Sequence, residues 1–136
     1  MIPVEINFVA VLVSAVIIFS LGGLWYSPVL FAKQWMSVIN KTGEELKKDS
    51  KPANFITAFL QGLISSYILA IFISWAQAAT VVDGAWIGFM CWFGFAGTPT
   101  YVQNIFGRKP PKLWVIDSGY TLVSFVVSGI ILAFWK

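Results

Sequence analysis

Histidine is absent from the chain, and cysteine occurs once, at position 91. The first absence removes the commonest general base, the commonest metal ligand and the usual pH switch together. The second excludes an intramolecular disulfide and any multi-cysteine metal site. Cys91, between Met90 and Trp92 in an apolar run, reads as a small buried hydrophobe. Charge is scarce as well, at 11% of 136 residues against about 25% in an ordinary soluble domain. So few charges cannot coat a surface in water, and with 58% hydrophobic residues the solvent has to be mostly lipid.

Chemical motifs are missing too. The chain has no glycine-rich phosphate loop, no metal-ligand cluster and no Ser/His or Cys/His set. One carboxylate stands well inside an apolar run, where acid–base catalysis often needs two. The expectation is therefore no enzyme, with no catalytic residue, no cofactor and no metal. The net charge of +3 could suggest nucleic acid, but the aromatics lie inside or beside apolar runs, not on a basic stacking face, so no nucleic-acid partner is expected.

What is present is long apolar sequence. Four runs, about 6–26, 54–76, 84–104 and 113–135, each reach the roughly 20 residues that cross a bilayer as a helix. The expected fold is all-α: four transmembrane helices in two hairpins forming one unit over 1–136, with residues 27–53 as a cytoplasmic segment. The N-terminus carries Glu5 and no Lys or Arg, so the first run reads as a retained helix, not as a cleaved signal. Val29 to Asn40 is too short to cross and reads either as a helix at the membrane surface or as a loop helix packed on the protein itself. Thr42 and Glu45 fit a capping box opening a short polar helix.

Eight of the nine Lys and Arg residues fall in the loops 27–53 and 105–112. The positive-inside rule places both loops in the cytoplasm and both termini outside. Trp75, Trp86 and Trp135 then mark the outer interface, and Trp25, Trp35 and Trp114 the inner one, with Trp92 alone at mid-bilayer. Gly23 precedes Ser27-Pro28 as Gly94 precedes Thr98-Pro99, so Pro28 and Pro99 are expected to be matching helix breaks in a weak internal repeat.

Polar residues recur within the runs at helical spacing. Asp117, Thr121, Ser124 and Ser128 share one face of the fourth; Asn54, Thr57, Gln61 and Ser65 nearly share one of the second. With Tyr120, Gln103, Asn104 and Ser27 they define a candidate polar cluster of Asp117, Gln61, Gln103, Asn104, Tyr120, Thr121 and Ser27. Small-xxx-small patterns at Gly84/Gly88, Ser124/Ser128 and Gly129/Ala133 suit close helix packing, within the chain or between copies. Asp117 is the ionisable residue well inside a span, a functional candidate by its cost there; the alternative is an interfacial ion pair with Arg108, Lys109 or Lys112.

The run Leu24-Trp25-Tyr26-Ser27-Pro28-Val29-Leu30-Phe31-Ala32-Lys33-Gln34-Trp35 resembles the N-terminal signature of a membrane family catalogued as domain of unknown function number seventeen sixty-one. Phe106-Gly107-Arg108, Ile116-Asp117-Ser118-Gly119-Tyr120 and the glycine-bearing last run resemble its C-terminal half. The resemblance covers nearly the whole chain and implies a small four-span protein, mostly bacterial and so expected in a bacterial inner membrane, with no activity, substrate or catalytic residue attached. Two functions remain open. One is a homo-oligomeric conduit or binding module for a small solute or ion, opening to the cytoplasm. The other is a non-transporting structural or accessory subunit that meets an unidentified membrane or cytoplasmic partner.

Overall fold

The computed structural model describes residues 2–136. Among them there is no strand. Helix α1 (Phe8–Trp25) opens on Asn7, whose side-chain oxygen accepts from the N–H groups of Val9 and Ala10. That cap satisfies donors for which lipid offers no partner. The helix ends before Ser27-Pro28, as a proline in that place requires. The connecting segment holds α2 (Ala32–Ile39) and α3 (Gly43–Asp49). Thr42 caps α3: its hydroxyl accepts from the Glu45 N–H at 3.2 Å and donates to the Glu45 carboxylate at 3.2 Å.

α4 (Pro52–Ala76) and α7 (Pro111–Phe134) each begin on a proline, which is suited to a first turn because its missing N–H would be unpaired there anyway. Between them, α5 (Val81–Trp92) passes through a π-helical turn, Phe93–Gly97, into α6 (Thr98–Phe106). Among the described residues four helical stretches are long and apolar enough to cross a membrane: Phe8–Trp25, Pro52–Ala76, Val81–Phe106 and Pro111–Phe134. The chain is an all-α, multi-pass membrane protein.

The break expected at Pro99 does not occur. Gly97 and Thr98 keep right-handed helical dihedrals, and the helical stretch continues through Pro99 to Phe106. Proline cannot donate to the carbonyl four residues back, so the turn before it widens instead, with the Thr98 N–H donating to the Phe93 carbonyl. Side chains take up carbonyls of the widened turn. The Thr98 hydroxyl donates to Phe93 O at 2.9 Å, and the Thr100 hydroxyl to Ala96 O at 2.6 Å and Gly97 O at 3.1 Å. Pro28 and Pro99 thus share a spacing but not a geometry, since only Pro28 turns the chain out of its helix.

α7 is the central helix, packed against α1, α2, α4, α5 and α6, and its seam with α5 is the most extensive in the fold. Glycine explains that seam. A Cβ at Gly84 would collide with the Gly129 carbonyl, and one at Gly88 with the Phe125 carbonyl. Without them the two backbones touch, as small-residue membrane interfaces allow. Beside this seam, toward the end that carries both termini, Ala10, Val11, Leu69, Ala70, Ile73, Leu132 and Ala133 form a buried apolar layer. The other end is looser: α4 has no buried residue from Pro52 to Gln61, and in α6 only Asn104 is buried.

Candidate functional site

Asp117 lies one and a half turns into α7, half-buried. Its Oδ1 accepts a hydrogen bond from the Tyr26 hydroxyl at 2.6 Å. Tyr26 reaches it because α1 ends at Trp25 and the turn at Ser27-Pro28 lays the phenol across α7. The tyrosine is fixed by its neighbours, with rings edge-on to Trp35 at 5.2 Å and to Tyr120 at 5.9 Å. The expected alternative, an ion pair with Arg108, Lys109 or Lys112, does not form: among the described residues the ion pair within reach is the exposed Lys41–Glu45, at 3.7 Å.

A pocket of about 230 Å³ opens beside Asp117, walled by Thr100, Gln103, Asn104, Lys109, Leu113, Trp114, Ser118 and Thr121. Farther along α7, where it meets α1 and α4, is a second, half-open inner cavity of about 30 Å³, lined by Ile18, Gln61, Ser65, Ser66, Leu69, Tyr120, Thr121, Ser124, Phe125 and Ser128. Thr121 belongs to both walls. The candidate polar cluster is therefore two groups joined at one residue. Asp117, Gln103 and Asn104 surround the outer pocket; Gln61 and Tyr120 surround the inner cavity.

Ser27 belongs to neither. Its hydroxyl donates to Leu24 O at 2.6 Å and accepts from the Val29 N–H at 3.3 Å, so it serves the turn. Hydroxyls next to a proline break bond to nearby backbone by preference, which is the physical reason for this correction. Asn104 is partly engaged in the same way, its amide donating to Lys109 O and Pro110 O at 3.1 and 3.2 Å and holding the turn into α7. Gln61 donates to Ser65 along its own helix at 2.7 Å.

Aromatic donors frame the site. Trp25 Nε1 donates to Ile116 O at 2.9 Å, Trp92 Nε1 to Ser118 O and to Thr121 Oγ1 at 3.1 Å each, and Tyr120 OH to Ile18 O at 2.7 Å. Trp114 Nε1 donates to Gly97 O and Thr100 Oγ1 at 3.2 Å each, completing the set of side-chain bonds around the π turn. Trp25 and Trp114 are thus ties between helices and not simply interfacial anchors. The carbonyls on both sides of Asp117 are each held by an indole, which fixes this stretch of α7.

Sequence reasoning undervalued Tyr26, Lys109 and two serines. Ser66 and Ser118 are buried, and their hydroxyls find no partner in the protein. Ser118 stands in the wall of the outer pocket and Ser66 in that of the inner cavity. A buried hydroxyl without a partner is uncommon, and an ordered water is the usual remedy. No spacing rule distinguishes these serines from ordinary packing residues. Among the described residues, no three His, Cys, Asp or Glu side chains are grouped so as to hold a metal ion.

The fold and the site together define an integral membrane protein whose polar groups gather on one central helix. The chain belongs to the family described as protein of unknown function (DUF1761), whose model matches residues 9–133. No curated protein and no solved structure matches it.

Proposed function

We propose that the protein is a homo-oligomeric conduit or binding module for a small solute or ion, opening on the Asp117 side. The observation that carries this reading is Thr121, which walls both the open pocket at Asp117 and the inner cavity of Gln61, Ser65 and Ser66. Polar groups lead from a membrane face toward the bundle interior, around a carboxylate that no cation neutralises within ion-pair distance. A carboxylate held at that depth is costly without a task. The lysine and arginine distribution supports an Asp117 side that faces the cytoplasm and termini that face out, and the family resemblance supports a bacterial inner membrane. No reaction step is part of the reading.

Self-association is supported by Asn54, Thr57 and Gln61 on α4 and by Thr100 and Gln103 on α6. All are exposed on helices that cross the membrane. Another copy of the chain would relieve that exposure better than lipid can. The alternative, a non-transporting accessory subunit, is supported by the glycine seam of α5 and α7, which serves packing alone.

Reconstitution tests the choice. Purified protein in liposomes should pass or bind a small cation or polar solute, and Asp117→Asn should reduce that flux or abolish the ligand's thermal stabilisation. A wild type that passes none of a panel of monovalent cations, protons and small polar solutes, and binds none of them through Asp117, would overturn the reading.

A further inference from the structure

At the end that carries the termini, a cavity of about 550 Å³ is walled by Glu5, Asn7, Ser74 and Gln77 and floored by Ala10, Ile73 and Leu132. The inner cavity approaches it from the Asp117 side along the same three helices. On α1 the inner cavity ends at Ile18 and the far one begins at Ala10; on α4 the corresponding residues are Leu69 and Ala70, and on α7 Ser128 and Leu132. Ile18, Ser14 and Ala10 on α1, Leu69 and Ile73 on α4, and Ser128 and Leu132 on α7 stand four apart, so each helix turns one continuous face toward this line. What separates the cavities is an aliphatic layer of Leu69, Ile73 and Leu132, all buried. On α7 the gap from Ser128 to Leu132 is one turn, about 6 Å at 1.5 Å per residue.

The unpartnered hydroxyls follow the same line. Among the described residues, Ser118, Ser66 and Ser14 are the buried side chains left without a hydrogen-bond partner. Ser118 stands at the Asp117 pocket and Ser66 at the inner cavity. Ser14, fully buried, lies on the α1 face midway between Ile18 and Ala10; with Ile18 against Gly62 it stands level with Ser66, one turn short of Ala10 and Ala70 in the aliphatic layer. Three orphan hydroxyls, one at the Asp117 pocket and two on facing helices one turn before the aliphatic layer, are hard to reconcile with packing alone, since each forgoes a bond that a single water would supply.

We propose that each protomer contains its own path for water and protons between α1, α4 and α7, running from the Asp117 pocket past Thr121, Ser66 and Ser14 to the far cavity. The Leu69–Ile73–Leu132 layer is its gate. This deepens the conduit reading and rests on it, while naming the cargo and placing the route inside one chain. The cargo follows from size and charge. A cavity of about 30 Å³ has room for water, which needs about 10–15 Å³ on the same measure, and for little more. Its lining residues carry hydroxyls and an amide but no ionised group, so a bare metal cation would enter uncompensated. Protons can cross by exchange along a file of waters and hydroxyls. The aliphatic layer closes the file by excluding water, as hydrophobic constrictions do in channels.

The test uses the full chain in liposomes, with proton flux read by an internal pH dye and water permeability by osmotic shrinkage. Leu132→Ala and Leu69→Ala should raise both by about tenfold or more relative to wild type, leaving potassium flux at the level of empty vesicles. Folding of each variant is checked by gel filtration and helical circular dichroism. If wild type conducts and folded gate variants conduct no better, the route lies elsewhere; this inference falls and the conduit reading stands. If neither wild type nor folded variants pass water or protons above empty vesicles, and no other solute passes either, both fall. Should the gate variants not fold, Ser66→Cys in a Cys91→Ala background decides the matter. Its S–H infrared band should exchange in D2O promptly in the folded protein, and a band that exchanges only on unfolding overturns the proposal.

Discussion

Where Gly84, Gly88 and Gly129 bring α5 and α7 into backbone contact, and Leu69, Ile73 and Leu132 fill the space beside them, the bundle is held by shape. Around Asp117 it is held by direction instead: Trp25, Trp92, Trp114 and Tyr120 each donate to a main-chain carbonyl of another helix. The two modes leave different remainders. Shape packing succeeds only when no space is left, so the glycine seam and the Leu69–Ile73–Leu132 layer close, and the far cavity opens only beyond that layer. An aromatic donor holds its partner helix at the length of a ring, and the space beside the ring becomes a pocket. In this protein the polar residues and both cavities that touch Thr121 lie on the aromatic side. Loose packing there leaves room for water beside a carboxylate, which a closed apolar layer would exclude.

The sharpest way to break the contrast is at its tightest point. Gly84→Ala places a methyl against the Gly129 carbonyl, and α5 and α7 must separate; a loss of about 3 kcal/mol in an unfolding titration is expected, at the top of the usual overpacking range. On the aromatic side, Tyr26→Phe removes the Asp117 hydrogen bond and keeps the ring. The expected cost is about 1–2 kcal/mol, accompanied by an altered Asp117-dependent flux that a purely structural tie would not produce. Trp92→Phe removes an N–H shared between Ser118 O and Thr121 Oγ1 and should cost about 1 kcal/mol, in line with buried hydrogen bonds between membrane helices. Smallest is Gly23→Ala, where an added Cβ meets nothing within 4 Å. Its stability should stay level or rise by up to about 1 kcal/mol through helix propensity. Equal losses at Gly84 and Gly23 would erase the difference between the two halves.

Much of this arrangement can be read from the chain before folding. The four spans follow from run length, the cap of α3 from Thr42 and Glu45, the starts of α4 and α7 from Pro52 and Pro111, and the close seam from the spacing of Gly84 and Gly88. These are local rules, each carried by one residue type at one spacing. Pro99 escapes them because a helix can pass a proline by widening its previous turn, and that solution depends on Thr98, Thr100 and Trp114 to serve the loosened carbonyls. The division of the polar cluster escapes them too. Helical spacing shows that Asp117 and Thr121 share a face; it does not show that Gln61 faces a different cavity from Gln103, or that Ser27 turns back on its own backbone. Those outcomes are decided by which helices meet, and that information is nonlocal.

The central claim is that water reaches the wall of the Asp117 pocket and is kept out of the aliphatic layer. Thiol labelling in the Cys91→Ala background tests it most directly, by comparing Ser118→Cys at the pocket with Val11→Cys in the buried core. The account predicts that a small, water-soluble cationic thiol reagent modifies the cysteine at position 118 in the folded protein and the one at position 11 only after denaturation. Two thiols equally inert until the protein is unfolded would contradict it.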